Sequence, residues 1–108
     1  MQETDVLNLV RQAAQIKVLF LPHAIRQMLR PDRMINRLEV RRAVELGEIV
    51  EDYPEDSRGH SCLLLGFGDG QRPIHVVCAP KPDYLAIITA YLPEPSEWTG
   101  NFKTRTKK

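Results

Sequence analysis

The hydrophobic pattern of this chain changes period once, at Gly47, and that switch limits the folds open to it. Before Gly47 apolar residues recur mostly at helical spacing, Ile16 to Leu21 apart. After it they come in short runs rich in β-branched residues, broken by Gly, Pro and Asp. Helices first and consecutive strands afterwards predict an α+β domain, with two or three N-terminal helices packed on one face of a four- to five-stranded antiparallel sheet. At 108 residues the chain has the length of one domain, residues 1–108, with 1–3 and 103–108 expected to be loosely ordered ends.

Thr4 or Asp5 can cap a first helix whose inner face is Val6, Leu7, Val10, Ala13 and Ala14. Ile16 to Leu21 reads as a strand or extended entry segment. Pro22 suits the first turn of a second helix, expected to run to about Arg30, where Pro31 discourages continuation. Its apolar face is Leu21, Ile25, Met28 and Leu29, with His23, Arg26, Gln27 and Arg30 opposite. In the third helix Asn36 and Glu39 have capping-box spacing, Ile35 and Val40 can staple the start, and Gly47 is expected as a left-handed stop. Val40, Ala43 and Val44 face inward and Arg37 and Arg41 outward. Four strands are then expected at Glu48–Tyr53, Cys62–Phe67, Pro73–Ala79 and Leu85–Tyr91, with Gly68-Asp69-Gly70 closing a hairpin. The sheet face away from the helices is expected to be partly open, and small domains often place a site there.

Composition excludes several classes. With 43% hydrophobic and 27% charged residues the chain is not wholly disordered. No apolar run approaches the ~20 residues of a membrane span. The first residues lack a basic stretch followed by an apolar one, so no secretory signal is expected. Two cysteines make no disulfide framework, which points to a reducing cytoplasm. A net charge of +1 excludes a uniformly basic coat, but the charge is segregated. From His23 to Arg42 six arginines face only Asp32 and Glu39. From Glu45 to Asp56 there are six acids and no base, and the end carries Lys103, Arg105, Lys107 and Lys108. Such blocks steer an anionic partner or pair with one another.

The order of landmarks adds to this reading: His23-Ala24, Met28, Arg33 with Ile35, Glu39-Val40, Gly47-Glu48-Ile49, Tyr53-Pro54, the run from Gly70 to Val77, Ile88-Thr89-Ala90-Tyr91, and Trp98 with a basic end. From about His23 to Arg105 the chain resembles the bacterial domain-of-unknown-function family numbered 4258, thought related to the RelE/barnase-like ribonuclease-toxin fold group. The resemblance implies helices on an antiparallel sheet, and metal-independent RNA cleavage or, in a degenerate relative, RNA binding alone. The family tends to place an arginine directly before the methionine of its first helix, where this chain has Gln27. The chain also carries two extra residues near Pro31-Asp32.

Metal-free RNA cleavage needs a base for the 2′-hydroxyl, an acid for the departing 5′ oxygen and cations for the phosphorane. Histidine titrates nearest neutrality, so His75 is the first candidate, although a strand histidine among core positions is more often a hydrogen-bonded structural group. Tyr91 ends the last strand, on one alternation with Thr89 and Ile87, and offers an acid or a phosphate donor. The resemblance puts forward Arg33 and Arg105 for transition-state charge, against pairing with the acidic block. His23, Arg26, Arg30 and Lys103 are candidate RNA contacts, and Trp98 is expected to fold back as a lid. His60, Cys62 and Cys78 lack metal-ligand spacing, so no metal or cofactor is expected. Two readings stay open: an RNA-directed protein of the ribonuclease-toxin type, whose candidate catalytic set is His75, Arg33, Tyr91 and Arg105, and a non-catalytic interaction module whose acidic Glu45–Asp56 stretch meets a basic protein partner, antitoxin-like or regulatory. The sequence leaves the oligomeric state open.

Overall fold

The computed structural model of the chain describes residues 3–106. Helix α1 (Glu3–Ile16) leads into strand β1 (Val18–Phe20), and helices α2 (Pro22–Met28) and α3 (Arg37–Leu46) follow. Strands β2 (Glu48–Tyr53), β3 (Ser61–Phe67), β4 (Pro73–Pro80) and β5 (Leu85–Tyr91) come next, with a single 3-10 turn at Asp69–Gln71 between β3 and β4. They form one sheet in the order β1-β5-β4-β3-β2. The antiparallel meander from β2 to β5 is as expected, whereas β1 adds to β5 in parallel, so the sheet is mixed. Bonds from Leu85 N–H to Lys17 O and from Leu21 N–H to Ile87 O extend that short parallel ladder by one bond at each end.

Each helix buries the stripe that its periodicity dictates. Val6, Val10 and Ala13 of α1 and Val40, Ala43 and Val44 of α3 are buried against Cys62, Leu64, Ile74, Val76, Cys78, Leu85, Ile87 and Ala90 on one face of the sheet. The first helix begins at Glu3, so Thr4 and Asp5 sit inside its first turn instead of ahead of it. Helix α2 ends at Met28, earlier than Pro31 alone requires. The chain folds back at once, with Ile35 N–H donating to Met28 O. Ala24 and Met28 are therefore the buried pair of α2, and Leu29 is exposed.

The capping box at α3 is present and does more than cap. Asn36 Oδ1 accepts from Glu39 N–H at 2.8 Å and Glu39 Oε1 accepts from Asn36 N–H at 3.1 Å. Glu39 is itself buried, and Oε2 accepts from Asp69 N–H and Arg72 Nε while Oε1 accepts from Arg72 Nη2. Arg72 also donates to the carbonyls of Arg33 and Met34, so one guanidinium ties α3, the turn before it and the β3–β4 hairpin together. At the far end of α3, Gly47 is extended (φ −78°, ψ −177°), not left-handed. Glycine is required there by space: a Cβ would lie 2.3 Å from Ala43 O and 2.5 Å from Leu65 O. Arg11 completes the end by donating to Val44 O and Gly47 O.

Two β-bulges decide what the other sheet face presents. Between β4 and β5, Val77 pairs Thr89 and Cys78 pairs Ile87, leaving Ile88 as an extra residue. Ile87 therefore joins the helix-side core, while Thr89 and Tyr91 share the opposite face with His75 and Val77; strict alternation would place Ile87 with them. Between β2 and β3, Ile49 pairs Leu64 and Glu51 pairs Leu63, with Val50 extra. That offset turns Ile49 toward the helices and Glu51 toward the His75 face.

Candidate functional site

His75 and Tyr91 are direct partners across β4 and β5, which places both on the face without helices. His75 is wholly buried there. A carbonyl oxygen only accepts, so the 2.8 Å contact with Phe102 O makes Nε2 the protonated nitrogen. Nδ1 then accepts from the Tyr91 hydroxyl at 3.2 Å. Burial lowers the His75 pKa and outweighs the Phe102 bond and Glu51, which raise it, so the ring stays neutral. Trp98 meets the ring edge-on at 4.5 Å between centroids, folding back as the expected lid.

Arg105 lies over Trp98, 4.7 Å from its ring centroid, and grips Glu51 through Nε at 3.0 Å and Nη2 at 3.1 Å. Tyr53 donates its hydroxyl to the same carboxylate. Burial opposes the Glu51 charge, but these donors prevail and its pKa is lowered. Burial and the neighbouring Glu51 push the Tyr53 hydroxyl up to about 12. The Tyr91 hydroxyl is raised by burial too, while Arg105 and Arg33 act the other way. Arg33 reaches this region from the turn after α2, with Nη1 donating to Gln27 Oε1 at 2.9 Å. Gln27 is thus the acceptor that holds Arg33.

The structure therefore brings His75, Tyr91 and Arg105 together, with Arg33 close enough for its charge to act on Tyr91. The expected RNA contacts are not gathered in one place. His23, Arg26 and Arg30 are exposed on or just after α2, and Arg30 pairs with Asp32. Lys103 pairs with Glu48 on β2, at the opposite edge of the sheet, and Lys107 and Lys108 lie outside the described residues. Sequence reasoning missed Glu51 and Tyr53, because the bulge at Val50 that turns them to this face leaves no signal in the alternation.

The charge blocks resolve unequally. The acidic stretch is largely satisfied within the chain: Glu48 by Lys103, Glu51 by Arg105, Asp52 by His60, and Asp56 by Arg58 and Ser61. On the basic side, Arg37 lies over the Phe20 ring, and no ion pair joins Arg26, Arg37 or Arg41 to a carboxylate among the described residues. Charge of both signs is left unpaired at the surface, since Glu45 and Glu55 of the acidic stretch and Asp83, Glu94 and Glu97 are exposed without an ion pair among the described residues. Cys62 and Cys78 face each other across β3 and β4 as buried free thiols, and no group of three or more metal-ligating side chains is assembled among the described residues.

No curated protein and no solved structure matches the chain. The family described as "Domain of unknown function (DUF4258)" matches residues 20–92, which hold β2 through β5, His75 and Tyr91 but not Trp98 or Arg105. With more than half of its length inside that match, the chain belongs to the DUF4258 family.

Proposed function

We propose that this chain is an RNA-directed protein that cleaves phosphodiesters without a metal, in the manner of RelE/barnase-like ribonucleases. The observation that carries the reading is the convergence of His75, Tyr91, Glu51 and Arg105 on one sheet face, the groups that proton transfer and phosphorane charge call for. Helices layered on the opposite face and unpaired arginines at the surface support it. In this reading Arg105 and Arg33 hold the phosphate, the Tyr91 hydroxyl turns from His75 Nδ1 and gives its proton to the leaving oxygen, and the Glu51 carboxylate takes the 2′-hydroxyl proton, solvent exchange then restoring the Tyr91 phenol and the Glu51 carboxylate. The cytoplasm, where RNA is abundant, is the compartment that fits.

The test is cleavage of total RNA by the purified chain with chelator present, beside Tyr91→Phe, which keeps the ring and loses the hydroxyl. Wild-type cleavage, reduced by about 100-fold in the variant at unchanged melting temperature, is the expected result. One observation favours the second reading, a non-catalytic interaction module: His75 is sealed, with both ring nitrogens engaged inside the chain. Absence of cleavage with and without ribosomes sinks the first reading in favour of the second. The partner to capture is then a basic one, met by the acidic stretch, where Glu45 and Glu55 are exposed without an ion pair.

A further inference from the structure

Beyond β5 the chain turns back across the sheet face that holds His75. Trp98 and Arg105 form an isolated antiparallel bridge. The backbone hydrogen bonds of this segment stay within it: Glu97 and Trp98 N–H donate to Glu94 O, Thr99 N–H to Thr104 O, Phe102 N–H to Thr99 O, and Thr106 N–H to Glu97 O. It is a self-closed loop laid on the sheet, not a sixth strand. Side chains hold it down, through the Trp98 ring and the Phe102 carbonyl on His75 and the pairs Lys103–Glu48 and Arg105–Glu51. Both ion pairs are open to solvent, with the Arg105 side chain 62% exposed, so salt and competing anions reach them. A loop held this way can leave as a unit without breaking a β-ladder.

We propose that residues 97–106 are a displaceable cover over the His75–Tyr91 pair, released when an RNA phosphodiester takes Arg105 from Glu51. The proposal rests on the RNA-directed reading and adds its regulation. Phosphate and carboxylate compete for the same guanidinium edge, since both accept its parallel N–H bonds. When Arg105 turns to phosphate, Glu51 keeps only Tyr53 as a donor and the loop loses one of its two ion pairs. Lifting Trp98 and Phe102 frees His75 Nε2 and opens Glu51, Tyr53, Tyr91 and His75 as one surface. Without RNA the site stays covered, which suits an activity that must remain silent until substrate arrives.

Trp98 is the chain's one tryptophan, so its fluorescence reports the cover directly. Carbethoxylation of His75 by diethyl pyrocarbonate, read by mass spectrometry with His23 and His60 as internal references, reports the site beneath. The full chain is examined at low salt, at high salt, and at low salt with a single-stranded oligonucleotide whose 2′-O-methyl groups prevent cleavage, its binding followed by anisotropy. High salt and bound oligonucleotide should each raise acrylamide quenching of Trp98 and His75 modification several-fold. Glu48→Ala, which frees Lys103 and lies outside the proposed machinery, should do so without additive. If neither salt nor Glu48→Ala changes either signal, the segment is a fixed part of the fold and the proposal is overturned. If the oligonucleotide binds and Trp98 stays shielded, the cover is overturned while the RNA reading stands. Absence of binding under all conditions removes the RNA reading, and the phosphate trigger with it, whatever salt does to the cover.

Discussion

Arg72 closes on Glu39 with Nη2 2.8 Å from Oε1 and Nε 3.0 Å from Oε2, around a carboxylate whose side chain is only 1% exposed. Asn36 and Asp69 add backbone donors. The buried charge is fully satisfied, and each partner depends on the other. Arg72→Met leaves that carboxylate buried without its cation, and a loss of about 3–5 kcal/mol is expected in urea unfolding. A loss below about 1 kcal/mol would show that the pair does not fasten the hairpin to α3.

The same pair predicts an acid limb. Burial raises the Glu39 pKa, but the bonds from Arg72, Asn36 and Asp69 overcome it and hold the carboxyl at about 2, against an ordinary 4.5. A folded pKa below the unfolded one means stability that is complete above 4.5 and lost as pH falls toward 2. That contribution is about 3 kcal/mol. Unfolding free energy measured between neutral and acid pH should show it in wild type and lose most of it in Glu39→Gln.

His75 predicts a second, milder limb. Burial lowers its pKa below the ordinary 6.5. Above 6.5 the ring is neutral folded and unfolded, and stability is at its full value. Below 6.5 the unfolded ring takes a proton first, so stability falls as pH falls toward the folded pKa. Replacing the ring with glutamine should flatten the melting temperature between pH values bracketing 6.5; an unchanged slope in His75→Gln would assign the limb to other groups.

Gly66 lets α3 approach β3. A Cβ there would lie 2.4 Å from Ala43 Cβ and 2.5 Å from Ala43 Cα, so Gly66→Ala must push the helix off the sheet. The expected loss is about 1–3 kcal/mol. Gly70 has open space around it but φ +67°, and alanine there should cost about 1 kcal/mol through the backbone alone. A loss below about 0.5 kcal/mol in Gly66→Ala would show that packing of α3 is not what demands glycine at 66.

Cys62 and Cys78 are opposite one another and fully buried, and the Cys78 thiol is pushed well up by its hydrogen bond to Cys62 and by burial. Thiols so placed are poor nucleophiles. Under native conditions an aromatic disulfide reagent should label them only as fast as the sheet opens, and at once in denaturant. Rapid native labelling of either would mean that the sheet centre opens far more often than its packing suggests.

What the sequence determined by itself is local or periodic in origin. The capping box at Asn36, the stripe Val40, Ala43 and Val44, the hairpin turn at Gly68-Asp69-Gly70 and the span of β5 follow from neighbours a few residues apart, and each is legible in the amino-acid order alone. The meeting of His75 with Tyr91 is not, because without the extra residue at Ile88 the register running from Pro80–Leu85 to Cys78–Ile87 would set His75 opposite Ala90. Only the tertiary structure decided the rest. The parallel seat of β1 depends on where α1 delivers the chain, and the bulges at Val50 and Ile88 add one residue where strict alternation counts none. Those two extra residues turn Glu51 toward His75 and Ile87 away from it, because each bulge shifts by one position a side-chain pattern that repeats every two. Gly47 is glycine for want of space and not for a left-handed turn, which depends on how closely α3 lies on Leu65. The pairing of Arg105 with Glu51 joins residues 54 positions apart, and a contact of that range leaves no trace in local sequence.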